Sequence, residues 1–310
     1  MPLKMTTPSI SKQMNSKTNN TPLIPQEAFD WYDEYAHGII DRRTFLKRLS
    51  TLAIAGLSTN LLASALIPNY AQAEQVSFND KSILANYQTF SSPLGHGEGR
   101  GYFVQPVNVT EKAPVVIVVH ENRGLNPYIK DVARRVAKAG YIAFAPDILH
   151  TFGGYPGNDD EGRAMQRNLD KAKVEEDFIA AAQFLKNHPM SNGKLGGVGF
   201  CFGGYIINML AARAPDIINA GVPFYGTPAA KALRKNIKAP LLIQLAELDK
   251  RVNATWPEYE QDLKDNHVDY QMQLYANANH GFHNDSTSRF DEKNAELAWQ
   301  RTLSFFNKHL

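Results

Sequence analysis

The sequence predicts an α/β protein, a mostly parallel sheet of about seven to eight strands flanked by helices on both faces. Three observations carry this. Apolar, β-branched runs alternate with helical patterns from residue 115 onward. The runs are continuously apolar, as strands buried on both faces must be. With 43% of 310 residues hydrophobic, the chain also has enough apolar material for a large core under that cover.

Val115 to Val119 reads as the first buried strand. Val132 to Ala139 follows with helical character and ends at Gly140, a natural helix stop. Tyr141 to Ala145 is the next strand, closed by Pro146-Asp147. A glycine-rich loop, Gly153 to Gly157, leads into one long helix spanning Asp160 to Asn187. Leu195 to Phe200 is strand again, and Gly203 to Arg213 helix. Gly221 to Tyr225, Leu241 to Ala246 and Tyr270 to Tyr275 are strands separated by helical patterns at 228–236 and 254–266. Asp291 to Lys308 closes the chain as a helix that buries Phe290, Leu297, Trp299, Leu303 and Phe306. Residues 80–106, rich in glycine and aromatics, suit one or two antiparallel edge strands. No internal repeat and no long linker interrupts residues 74–310, so they form a single domain.

Residues 1–73 read differently, as a disordered and helical arm. The first 24 residues are polar and have little to bury. Gln26 to Ile40 suits a short helix with Phe29, Trp31, Tyr32 and Tyr35. Asp41-Arg42-Arg43 then precedes an apolar run, Leu49 to Ile67, which Pro68 ends, and Ala71-Gln72-Ala73 has the small-x-small form of a signal-peptidase site. The segment resembles a twin-arginine export signal, with Asp41 where Ser or Thr is commoner. It predicts an exported, periplasmic protein handled by export machinery. The alternative is a helical arm that stays on a cytoplasmic protein, favoured by the length of chain ahead of the arginines. The run is diluted by Ser50, Thr51, Ser58, Thr59, Asn60 and Ser64, so no stable membrane span is expected.

Composition excludes several functions. Net charge is +2, and from Glu74 onward acidic and basic residues balance, so nothing points to nucleic acid. A single cysteine, Cys201, rules out an internal disulfide, a CxxC redox pair and a thiolate-rich zinc site.

That cysteine sits in Gly199-Phe200-Cys201-Phe202-Gly203, at a strand end just before a helix. The spacing matches a nucleophile elbow, whose glycines let the flanking backbones approach without a Cβ clash. The helix N-terminus favours a thiolate and offers a backbone N–H to a developing oxyanion. Asp249 follows the strand Leu241 to Ala246, and His280 follows the strand Tyr270 to Tyr275. The chain order nucleophile, acid, base is the one α/β-hydrolases use. His280 would accept the thiol proton and Asp249 would orient it. His283 is a rival base and Glu247 a rival acid. The loop His120-Glu121-Asn122-Arg123-Gly124 follows the first strand, so the backbone N–H groups of Asn122 and Phe202 are the candidate oxyanion donors. No second histidine follows His120-Glu121 at HExxH spacing, so neither a metal nor a cofactor is expected.

Val-Val-His-Glu-Asn-Arg-Gly, Ala145-Pro146-Asp147, Gly-Phe-Cys-Phe-Gly-Gly-Tyr and the trailing Asp249 and His280 together resemble the dienelactone hydrolase family of the α/β-hydrolase fold, over residues 85–310. The resemblance implies hydrolysis of a small-molecule ester or lactone through a thioester. It also implies that Glu121 pairs with the resting thiol until substrate displaces it. Two departures concern the substrate. Asn122-Arg123 stand where well-known members have apolar residues, and Asn284 stands where they carry a carboxylate-binding arginine. Arg123, Arg163, Arg167 or Arg289 could take that role, with Arg123 the first candidate. The competing reading is a non-hydrolytic protein of the same fold that binds a ligand or senses oxidants through Cys201.

Overall fold

Continuous apolar strands need cover on both faces, and the computed structural model, which describes residues 24–53, 58–70 and 73–310, supplies it. Eight strands form one sheet: β1 (Ile83–Ser92), β2 (Gly97–Pro106), β3 (Ala113–Val119), β4 (Ile142–Asp147), β5 (Ser191–Phe200), β6 (Ala220–Phe224), β7 (Leu241–Ala246) and β8 (Tyr270–Tyr275). Their order is β1-β2-β4-β3-β5-β6-β7-β8. β1, β2 and β4 pair antiparallel, and all other pairs are parallel. The hairpin β1–β2 is thus the antiparallel edge expected from residues 80–106.

Helices are numbered along the chain: α1 (Gln26–Ala36), α2 (Arg42–Ala53), α3 (Thr59–Leu66), α4 (Pro127–Lys138), α5 (Asp159–Arg167), α6 (Lys171–Lys186), α7 (Phe202–Arg213), α8 (Lys250–Asn253), α9 (Trp256–Asp265) and α10 (Glu292–His309). One sheet face packs against α4 and α10 through Ile129, Val132, Val136, Ala298 and Phe306. The other packs against α6, α7 and α9 through Phe178, Ala182, Ile207, Leu210 and Leu263.

Two expectations are corrected. The helix expected from Asp160 to Asn187 is two helices, because Asp170 accepts hydrogen bonds from the amides of Ala172 and Lys173 and so caps a new start at α6. The pattern at 228–236 is a 3-10 helix over Lys231–Asn236.

The described part of the arm is folded. Ala28, Tyr32 and Ala36 of α1, Phe45 and Leu49 of α2, and Leu62 and Leu66 of α3 bury one another in a third small core. The apolar run read as an export signal contributes to that core, with residues 54–57 outside the described residues. So are most of the polar first 24 residues, together with Ala71 and Gln72 of the small-x-small triplet. Among the described residues no helix is long and apolar enough to cross a membrane.

The arm lies against the domain at the carboxyl ends of the strands. Asn122 donates from its side-chain amide to the Ala36 carbonyl at 2.7 Å. Gln26 donates to Asn279 at 2.6 Å, and Arg42 pairs with Asp160 at 3.0 Å. The guanidinium groups of Arg163 and Arg289 stack on Tyr35 and Tyr32, 4.7 and 4.8 Å from the ring centres.

Candidate active site

β5 ends at Phe200 and α7 begins at Phe202, so Cys201 alone makes the turn between them. Its backbone is left-handed, φ 56° and ψ −111°. Non-glycine residues avoid this region, and strain there is held in place only by the surrounding structure. The glycines explain how. A Cβ on Gly199 would land on the carbonyl oxygen of Gly203, and one on Gly203 on that of Val119. Only glycine permits the strand and helix backbones to approach so closely.

Asp249 and His280 arrive from the ends of β7 and β8. Asp249 caps α8, accepting from the Val252 amide at 3.0 Å, and its Oδ2 lies 2.5 Å from His280 Nδ1. Burial opposes ionisation of Asp249, but the His280 imidazole beside it holds the carboxyl below its ordinary value. Burial likewise opposes charge on His280, yet Asp33 and Asp249 together push its pKa up to about 10. The Cys201 thiol, also buried, is drawn well below its ordinary value by the imidazoles of His37 and His280. Donor atoms of His37, Cys201 and His280 lie within 4.8 Å of one another.

The rival residues fall away from this cluster. His283 is a core residue whose Nδ1 meets the Tyr128 hydroxyl at 2.8 Å, and burial brings its pKa down to about 3. Glu247 is exposed and accepts from the Asn277 amide at 2.7 Å.

A cavity of about 410 Å³ opens onto the thiol, lined by Asn122, Cys201, Phe202, Tyr205, Tyr225 and Thr227 of the domain and by Ala36 and His37 of the arm. Its charged walls are all cationic: Arg163, Arg167, Lys171 and Arg251. A second cavity, about 380 Å³, reaches Asp249 and His280 from the other side of α1.

Two expected roles meet a different arrangement. Glu121, expected on the resting thiol, instead accepts a 2.9 Å hydrogen bond from Asn284 and lies 3.8 Å from Arg123 Nε. Arg123, expected to bind substrate, is buried and paired with Asp159 at 2.7 Å, outside the lining of the cavity. Of the other arginines, Arg289 is buried under Tyr32 and Arg163 pairs with Asp160. Arg167 lines the cavity, and among the described residues it pairs with no carboxylate.

The thiol's hydrogen-bond partner is one the sequence reading missed. His37 Nε2 lies 3.2 Å from Cys201 Sγ. Its Nδ1 donates to the Asp33 carbonyl at 2.8 Å, with the Asp33 carboxylate at 3.2 Å. Asp33 and His37, four apart on one helix face, were visible as a pair. Nothing in their spacing aims them at a thiol 164 positions away. The cysteine and two histidines are zinc-type donors. Against a cation there, Arg251 Nη2 lies 2.9 Å from His37 Nε2.

The sequence model of the dienelactone hydrolase family matches residues 100–310. The chain belongs to this family. A protein of Klebsiella pneumoniae named as a dienelactone hydrolase has a solved structure that superposes with a TM-score of 0.64 at 26% identity, covering 73% of this chain and 100% of that one. A protein of Aquifex aeolicus named as a carboxymethylenebutenolidase is 34% identical over 221 residues, 68% of this chain and 94% of its own. The YghX hydrolase fragment of Escherichia coli is 64% identical over 109 residues, 35% of this chain and 93% of its own. Residues 14–54, ahead of the dienelactone hydrolase match, match a separate family model described as YqhI-like.

Proposed function

We propose that this dienelactone hydrolase family member cleaves carboxylic esters or lactones through Cys201, Asp249 and His280 by way of a thioester. The observation that supports it best is the strained elbow that presents Cys201 to a cavity beside the Asp249–His280 pair. The carboxymethylenebutenolidase name of the Aquifex relative points to the same class of bond.

In this reading the Cys201 thiolate attacks the substrate carbonyl carbon. Asn122 and Phe202 line the same cavity, and in this reading their backbone N–H groups stabilise the oxyanion. The carbonyl reforms, the C–O bond breaks, and the leaving oxygen takes a proton from His280. Neutral His280 then removes a proton from water, whose oxygen displaces Sγ and releases the acid. Asp249 keeps the imidazole oriented throughout.

Among the described residues four cations and no carboxylate line the cavity, which suits a substrate bearing an anionic group. Arg163 and Arg251 are occupied by Asp160 and Asp33, which leaves Arg167 and Lys171, both exposed, to receive it.

The test is hydrolysis of aryl esters and small lactones, with and without a carboxylate, by the full chain and by Cys201→Ala. Loss of turnover in the variant supports the proposal, and retained turnover overturns it. Tight binding without turnover by the unaltered chain would instead favour a ligand-binding protein.

A further inference from the structure

We propose that His37, seated on Asp33, is a second catalytic histidine that takes the proton of Cys201, so that helix α1 completes the active site from outside the catalytic domain. The inference rests on the thiol-hydrolase reading above and adds a residue to it.

Four observations carry it. First, His37 rather than His280 makes the hydrogen bond to Sγ, at 3.2 Å. His280 Nε2 is buried with no hydrogen-bond partner. Second, each imidazole has its own carboxylate: His280 has Asp249 at 2.5 Å, and His37 has Asp33 at 3.2 Å. His280 is hydrogen-bonded to its carboxylate, while His37 has the Asp33 carboxylate beside the Nδ1 that donates to the Asp33 carbonyl, so each ring has an acid at hand to balance its charge. Third, the proton on His37 is placed by its neighbours. Nδ1 donates to the Asp33 carbonyl, and Arg251 Nη2 donates to Nε2 at 2.9 Å. Nε2 is thus the nitrogen left without a proton, shared between the Arg251 guanidinium and the thiol 3.2 Å away, and although burial opposes charge on the ring, Cys201 and Asp33 raise its pKa above the ordinary value. Fourth, the place beside the thiol is open to His37 because Asn284 and Arg123 hold Glu121 elsewhere.

Ionisation breaks the Sγ–H bond and forms an Nε2–H bond on His37. The new imidazolium is balanced by Asp33, and the sulfur keeps the electron pair that attacks the carbonyl. His280, already protonated between Asp249 and Asp33, remains available to protonate the leaving oxygen. The two histidines thus divide work that a single one performs in sequence. The charged and titratable groups facing His37 are Asp33 on its own helix, and Cys201, Arg251 and His280 on the domain. Arg289, 3.9 Å from Asp33 Oδ1, completes the set.

Cys201 is the only cysteine, so alkylation by iodoacetamide reads this thiol alone. In the full chain, His37→Ala is expected to slow alkylation at neutral pH by about tenfold or more and to move the pH midpoint upward. Added imidazole should restore part of the rate in this variant and none in the parent. His37→Gln, which keeps a polar side chain at the site, should show the same loss, and its thermal midpoint checks the fold. Alkylation of either variant as fast as the parent, or faster, overturns the proposal and makes α1 a cover over the thiol. So does a protein isolated from its host whose chain begins at residue 74. Failure of the hydrolase reading shows separately, as turnover by Cys201→Ala.

Discussion

Asn284 donates a 2.9 Å hydrogen bond to Glu121, and that bond ties the glutamate to the loop after β8 rather than to Cys201. Both side chains are fully buried, and Arg123 Nε lies 3.8 Å from the same carboxylate oxygen. The position that the family resemblance assigns to substrate recognition has become a structural support for the loop after β3. Glu121→Gln should therefore leave the pH profile of Cys201 alkylation where it is. Asn284→Ala strips a buried carboxylate of its donor and should cost about 1–3 kcal/mol in urea unfolding.

Stability should fall on the alkaline side through His280. Its pKa is about 10 in the folded chain against an ordinary 6.5. Below about 6.5 the imidazole is protonated in both states, and the stabilisation by Asp249 and Asp33 is fully present. Between those values only the folded chain holds the proton, so stability declines with rising pH and this contribution is gone above about 10. Denaturation midpoints measured from pH 6 to pH 10 check the slope, and His280→Gln should flatten it.

Asp249→Asn should leave the fold intact while lowering kcat by about 10⁴-fold, because the amide stabilises the wrong imidazole tautomer. Steady-state hydrolysis of an aryl ester measures it. A loss confined to KM would argue that Asp249 acts on substrate binding.

The elbow has no room for a methyl group. Gly203→Ala places Cβ against the Val119 carbonyl oxygen, which belongs to a central strand and has no freedom to move. A loss of about 1–3 kcal/mol or more is expected in chemical denaturation, with a parallel loss of Cys201 reactivity.

Arg167→Ala should raise KM about tenfold for an ester bearing a carboxylate and leave a neutral ester unaffected. Equal effects on both substrates would place the anionic group elsewhere in the cavity.

What the residues alone determined was the α/β fold and the family. Buried strands have no polar face, so runs such as Val115 to Val119 identify themselves, and a sheet of this kind puts reactive groups where its strands end. Cys201, Asp249 and His280 were legible as candidates because each lies just beyond the end of such a strand, and the glycines around Cys201 mark a turn that needs them. The break between α5 and α6 was less visible, because its signal is one capping aspartate inside an otherwise helical stretch.

Only the tertiary structure decided who touches the thiol. Glu121 and Asn284 are 163 positions apart, and His37 and Cys201 are 164 apart. Periodicity and motif spacing describe neighbours along the chain and carry no information about such pairs. The arm shows this most clearly. Its arginines and apolar run read as an export signal, and in the folded chain Leu49, Leu62 and Leu66 of that run join α1 in a small core, with His37 at the end of α1 against the sulfur. Hydrophobic burial is non-directional and does not encode what an apolar segment will pack on. The docking of α1 is specified by directional contacts from Asn122, Arg251 and Arg289, and these exist only once the domain has folded.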